Sequence, residues 1–226
     1  YLHLAPEDVE GLVRSGEIPF ERQGLRVVFL KKEIDAWASQ RILGFSEKRL
    51  EGFHRRTSAR AHDLSQNHTI IAELLKTDIL EPALASRTKP AVIRDMAALA
   101  ERTGLIVSSE ELTQSLRERE ELCATALPGG LALLHPRHHD PYMFSDSFIV
   151  VARALQPVHF GSPDGKPTDL FFLVCCQDDR IHLHTLARLC MMCVQTPMLT
   201  ALRVAVDRPA MAKAMTKAEE DVIARL

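Results

Sequence analysis

Apolar residues recur along this chain at two spacings, and each predicts a different element. In KPAVIRDMAALAERTG, Val92, Met96 and Leu99 fall three and four residues apart, the period of one helix face. Pro90 stands near the start of that stretch and Gly104 after its end, where helix boundaries favour them. SSEELTQSLREREEL opens with Ser108 and Glu111 in capping-box spacing and carries Leu112 and Leu116 on one face, so a second helix is expected. Three nearly continuous apolar runs follow, GGLALL, FIVVARA and DLFFLVCC, and these predict buried strands. Pro163, Asp164 and Gly165 supply a turn between the last two. DDRIHLHTLARLCMMCV returns to helical spacing, with Leu183, Leu186, Cys190 and Cys193 on one face and Asp178 or Asp179 as cap. TKAEEDVIARL predicts a closing helix, whereas IAELLKTDILEPAL is short and mixed. Helices interleaved with buried strands predict an α/β domain with a central sheet over residues 70–226.

The first 43 residues follow a different pattern. Pro6 suits the first turn of a short helix carrying Val9, Leu12 and Val13 on one face, and Gly16 suits its end. IPFERQGLRVVFLKKE reads as a hairpin with Gly24 in the turn and Val27, Val28 and Phe29 in the return strand. KKEIDAWASQRIL predicts another helix, with Ile34, Trp37 and Ile42 apolar. Residues 44–69 are polar, carry Lys48, Arg49, Arg55, Arg56 and Arg60, and offer few core positions, which predicts a basic linker.

Composition narrows the function classes. The formal net charge of -2 gives no global basic field to draw the whole chain to nucleic acid. No apolar run approaches the roughly 18 residues of a membrane span. The chain begins at Tyr1 without a signal-peptide pattern, and its true N-terminus is expected to lie upstream. Cys123, Cys175, Cys176, Cys190 and Cys193 sit in apolar surroundings without the spacing of a secreted disulfide framework, so a reducing cytoplasm is expected. Cys190 and Cys193 have CxxC spacing, but within a Leu/Met-rich helix that spacing suits core packing.

The candidate chemistry lies in GGLALLHPRHHD, where an apolar run ends at His135 and His138 and His139 follow. A metal site is one reading, although HxxHH in a loop with Pro136 and Pro141 lacks the fixed spacing of strong zinc signatures. A loop of solvated histidines is a second. A third is nucleophilic: neutral imidazole attacks well near neutral pH, and accepting a phosphoryl group needs positioning and nearby positive charge. Arg119 on the preceding helix and His182 in the first turn of the later one supply candidates for such a set.

Two resemblances extend this picture. Residues 1–43, through YLHLAPEDVEGLVRSGEIPF, the short hairpin and KKEIDAWASQ, resemble the excisionase-type or MerR-like winged helix-turn-helix module, with Tyr1 inside that module's first helix. The family reads DNA with its second helix and the wing. Here that helix carries Glu7, Asp8 and Glu10, which repel phosphates, while Arg14, Arg22, Arg26, Lys31 and Lys32 are candidate contacts to the DNA backbone. Protein docking or dimerisation is the other use of the same module.

Residues 70–226 resemble the enzyme IIA domain of the fructose/mannitol and nitrogen-regulatory phosphotransferase families. Three blocks carry the likeness in family order: LREREELCATALPGGLALLH, ALQPVHFGSPDGKPTDLFFLV and HLHTLARL. The resemblance implies a central mixed β-sheet flanked by helices, no cofactor and no metal. It implies that His135 accepts a phosphoryl group from an HPr-like histidine phosphocarrier protein. His182 and Arg119 would then contact the phosphoryl oxygens, and Thr125 would support the phosphate site. His138, His139 and His184 match no functional position. Leu134 stands where the family has proline, and Ala124, Thr125, Ala126, Leu127 and Pro128 replace its Ser-Thr-Gly-Ile-Gly-like stretch. The expected protein is a bacterial regulator with a phosphohistidine intermediate, a DNA-binding output and a regulated protein target. The alternative is a degenerate IIA-like domain acting only through DNA or protein contacts.

Overall fold

The structure is a computed structural model describing residues 6–24, 26–30, 33–34, 36–38, 68–137 and 143–226. Lys31, Lys32, Ile42, His138, His139 and all of the basic stretch before His68 lie outside the described residues.

Near the N-terminus, helix α1 (Pro6–Ser15) stops at Gly16. Strands β1 (Glu21–Gln23) and β2 (Arg26–Val28) pair antiparallel across a tight turn, where Gly24 takes a φ of 63° that only glycine adopts freely. Phe29 follows β2 rather than extending it. Residues 33–34 and 36–38 are helical. Leu12, Ile18 and Ile34 form a small apolar cluster, with Val13, Phe20 and Trp37 packed on it.

The larger unit comprises α2 (Ile70–Leu74), β3 (Glu81–Leu84), α3 (Lys89–Glu101), α4 (Ser109–Leu122), β4 (Ala126–Leu127), β5 (Leu131–Leu134), β6 (Phe148–Val158), β7 (Thr168–Cys175), α5 (Asp179–Gln195), α6 (Met198–Val204) and α7 (Arg208–Ile223). Its five strands form one mixed sheet in the order β3-β6-β7-β5-β4. The β3–β6 and β5–β7 pairs are parallel; β6–β7 and β4–β5 are antiparallel. Strand alternation explains the apolar runs. Leu131, Leu133, Ile149, Val151, Phe172 and Val174 face a core shared with α2, α5, α6 and α7. Ala132, Leu134, Val150, Phe171 and Leu173 face the opposite core, shared with α3 and α4. A sheet buried on both faces needs apolar residues at every position, hence runs rather than alternation.

The expected caps form. Ser108 Oγ accepts from the Glu111 amide at 3.2 Å, and Asp178, of the two candidates, accepts from the Ile181 amide at 2.9 Å. Elsewhere the structure refines the expectations. IAELLKTDILEPAL divides into α2 and β3. FIVVARA extends to Val158, with the pairing to β7 lapsing between Arg153 and Val158. Pro157 lies in that gap and has no amide to contribute to the ladder. The closing helix begins eight residues before TKAEEDVIARL, at Arg208, because Asp207 caps it and Pro209 tolerates its first turn. The short α6 went unanticipated.

Cys190 is buried in the core, where burial pushes its thiol up to about 12, and all five cysteines are free. Among the described residues, no single helix is long and apolar enough to cross a membrane.

Candidate functional site

The register of the sheet brings two chain segments together. Because β5 and β7 run parallel, their C-terminal ends emerge at the same edge. His135 directly follows β5. Only Cys176, Gln177 and Asp178 separate β7 from α5, whose first turn carries His182. Crevices at the carboxyl ends of parallel strands are where open α/β sheets place ligands. The His135 and His182 rings approach to 4.9 Å between centroids, tilted by 51°. Both side chains are almost fully buried.

Both nitrogens of the His135 ring make contacts among the described residues. Nδ1 lies 2.9 Å from the carbonyl oxygen of Leu133, which can only accept, so Nδ1 carries the proton and donates. Nε2 accepts from Arg119 Nε at 2.9 Å. The Nδ1 contact therefore selects the tautomer with a lone pair on Nε2, the nitrogen on the Arg119 side.

Arg119 comes from the last turn of α4 and is 1% exposed. Its Nη1 donates to the Cys123 carbonyl at 3.0 Å, tying the guanidinium to the end of its own helix. Its Nη2 is buried and makes no hydrogen bond among the described residues. Burial lowers the pKa of Arg119, while the neighbouring Glu120 carboxylate works in the opposite direction. The site thus combines an imidazole whose Nε2 lone pair is held by Arg119, a second imidazole beside it and a buried guanidinium with donor capacity to spare. That set can bind and stabilise a tetrahedral anion attached to Nε2.

Thr125 is fully buried, and its hydroxyl donates to Glu120. The structure thus places Thr125 in the wall behind the loop, bonded to a carboxylate. Glu120 itself was not anticipated. It accepts from the Thr125 amide at 3.0 Å and pairs with Lys89 Nζ at 2.6 Å. A signal was present in the sequence: extending Leu112 and Leu116 by another four residues lands on Glu120.

Leu134, the departure from the expected proline, is buried in the core beneath α3 and α4 and pairs in register with Leu173. The loop glycines Gly129 and Gly130 lie between β4 and β5. Gly130 has a φ of 80°, and a Cβ there would stand 2.8 Å from Arg203 Nη2, which bonds Asp169. His184, two residues after His182, is fully buried, and burial followed by the Arg188 charge pushes it down to about 3. Of the N-terminal candidates, Arg14, Arg22 and Arg26 are exposed. Among the described residues, no group of three or more His, Cys, Asp or Glu side chains is arranged to hold a metal ion.

Comparison with known proteins agrees with this architecture. The family described as "Phosphoenolpyruvate-dependent sugar phosphotransferase system, EIIA 2" matches residues 73–218. A nitrogen regulatory protein of Bradyrhizobium diazoefficiens is 32% identical over 122 residues, covering 53% of this chain and 76% of that protein. The crystal structure of nitrogen regulatory protein IIA-Ntr from Neisseria meningitidis superposes with a TM-score of 0.59 at 24% identity, over 65% of this chain and 99% of that one. The mannitol enzyme IIA in a complex with phosphorylated mannitol enzyme IIB from Escherichia coli gives a TM-score of 0.56 at 16% identity, over 64% of this chain and 99% of its own. These two structural likenesses concern the fold.

Proposed function

The chain belongs to the EIIA 2 family of the phosphoenolpyruvate-dependent sugar phosphotransferase system, and from that premise we propose that it is a regulatory IIA protein accepting a phosphoryl group on His135 Nε2. The observation that carries this reading is the bond from His135 Nδ1 to the Leu133 carbonyl, which puts the lone pair on Nε2 beside Arg119 and His182. The donor is a phosphorylated histidine carrier of the HPr type. His135 Nε2 attacks phosphorus in line; the new N–P bond forms as the carrier's N–P bond breaks, and the carrier's ring nitrogen leaves with the electron pair. Arg119 exchanges its bond to Nε2 for bonds to the phosphoryl oxygens, with Nη2 as a further donor. Once Nε2 is bonded to phosphorus the His135 ring is cationic, and the Leu133 carbonyl stabilises the Nδ1 proton. His182 donates to the same oxygens from the first turn of α5.

The regulatory half of the reading is supported by the identity with a nitrogen regulatory protein. Adding an anion to a buried pocket changes the local charge, and this change is the signal a regulated protein target reads. The free cysteines suit a cytoplasmic setting. The test is transfer of labelled phosphate from phosphorylated carrier protein. The expected result is an acid-labile phosphate mapping to the peptide that contains His135. No label on the wild-type chain sinks the reading.

A second reading concerns residues 1–43 as a DNA-binding output of winged helix-turn-helix type. It is favoured by Arg22 and Arg26, which stand exposed on the two strands of the hairpin. Retention on duplex DNA is expected to weaken as salt rises and to fall when both arginines become alanine. Retention indifferent to salt and to both substitutions contradicts this output and leaves protein docking.

A further inference from the structure

Arg119 and Glu120 are adjacent on α4 and both are buried, but they face different parts of the site. Arg119 reaches His135 directly. Glu120 reaches the chain behind it. Its Oε1 accepts from the amide and the hydroxyl of Thr125. The Thr125 carbonyl, just before β4, then accepts from the Leu133 amide of β5 at 3.1 Å. The Leu133 carbonyl is the group that holds His135 Nδ1. A continuous path of hydrogen bonds therefore runs from Glu120 through Thr125 and Leu133 to the imidazole. The far side of Glu120 is secured by Lys89, which also donates to the Phe160 carbonyl at 3.3 Å and stands 4.9 Å from the centre of the Phe160 ring.

We propose that Glu120 is a positioning residue for phosphoryl transfer, setting the His135 tautomer and ring orientation through Thr125 and Leu133. The inference rests on His135 as the acceptor. It also changes the part played by Thr125. With its hydroxyl proton committed to Glu120, Thr125 serves the phosphate site by fixing the strand behind it and does not donate that proton to phosphate. One turn of α4 thus aims the guanidinium with one residue and fixes its target with the next. A carboxylate suits this role because it is acceptor-only and takes two bonds from Thr125 while retaining a lone pair for Lys89.

Glu120→Ala and Glu120→Gln separate positioning from bulk stability. In Glu120→Ala the maximal transfer rate is expected to fall about 10- to 100-fold, the cost of a misaligned reacting group. The KM for phosphorylated carrier should stay near the wild-type value. The ring nitrogen resonances of His135, observed by 15N NMR, should leave the single Nδ1–H pattern of the wild type for a mixture of tautomers. Glu120→Gln keeps an oxygen for Thr125 and should restore most of the rate and the wild-type ring spectrum. A folded Glu120→Ala chain with unchanged ring resonances overturns the proposal. If Glu120→Ala does not fold, Thr125→Val removes only the hydroxyl bond, and an unchanged ring spectrum there overturns the proposal equally. If the wild type takes no label, the phosphoryl-acceptor reading fails, while the ring spectra still decide whether Glu120 governs His135.

Discussion

His135→Asn is expected to take up no phosphoryl group, and Arg119→Lys to take it up about 100- to 1,000-fold more slowly than the wild type. Asparagine keeps a polar side chain of similar reach after β5 but has no ring nitrogen to bond phosphorus, so the loss should be complete rather than partial. The Arg119 effect rests on geometry. One guanidinium bonds His135 Nε2 through Nε and the Cys123 carbonyl through Nη1, and holds Nη2 in reserve. A lysine ammonium at that position conserves the charge but not the planar fork, so it cannot hold the helix end and two phosphoryl oxygens together. Lys89 cannot substitute, because Glu120 already engages it. Single-turnover transfer from phosphorylated carrier, followed by rapid quench, measures both effects. Wild-type speed in Arg119→Lys would remove Arg119 from the phosphoryl site, and full labelling of His135→Asn would move the acceptor elsewhere.

The fold of residues 70–226 was largely legible in the sequence. β5 and β7 announced themselves because strands buried on both faces cannot alternate, and α3 and α4 because their apolar spacing comes with caps. The misses have local causes. α6 has only seven residues, and its first apolar positions merge with the end of α5 in composition. β6 outran its apolar run because its exposed end, Leu155 to Pro157, reads as loop. The site was legible only in part. His135 and His182 are 47 positions apart, and no spacing rule joins them; parallel pairing of β5 and β7 does. The residues alone offered His182 as a candidate beside His135, and the resemblance to the IIA family gave the two their roles. Glu120 was hidden for a different reason. In REREEL a glutamate reads as part of a solvated face, although the Leu112–Leu116 stripe runs straight into it. Leu134 drew attention as a missing proline. The ring of His135 is oriented through the carbonyl of Leu133, while the Leu134 side chain faces the opposite core, so the exchange falls on packing rather than on the imidazole.

Glu219→Ala is expected to cost about 3–5 kcal/mol of unfolding free energy, the penalty for removing one member of a buried ion pair. Glu219 lies on α7 and is fully buried. Its two oxygens accept from the amides of Ile71 and Ala72, each at 2.8 Å, and so cap α2 from across the core. One of those oxygens also stands 3.5 Å from Nη1 of the fully buried Arg188 on α5. A single carboxylate thus joins three helices. Alanine removes the acceptor for two buried or half-buried amides and takes a counter-charge from the fully buried Arg188 guanidinium. Burial raises the pKa of Glu219, while the two amides and Arg188 lower it, so the carboxylate depends on those partners as they depend on it. Glu219→Gln retains one acceptor oxygen for α2 but loses the charge and the second amide bond, so its cost should fall between those of wild type and alanine, nearer alanine. Urea unfolding monitored by helical circular dichroism measures the series. A loss below about 1 kcal/mol for the alanine variant, no more than one ordinary hydrogen bond, would contradict the three-helix junction. A glutamine as costly as alanine would show that one retained oxygen contributes nothing to the cap.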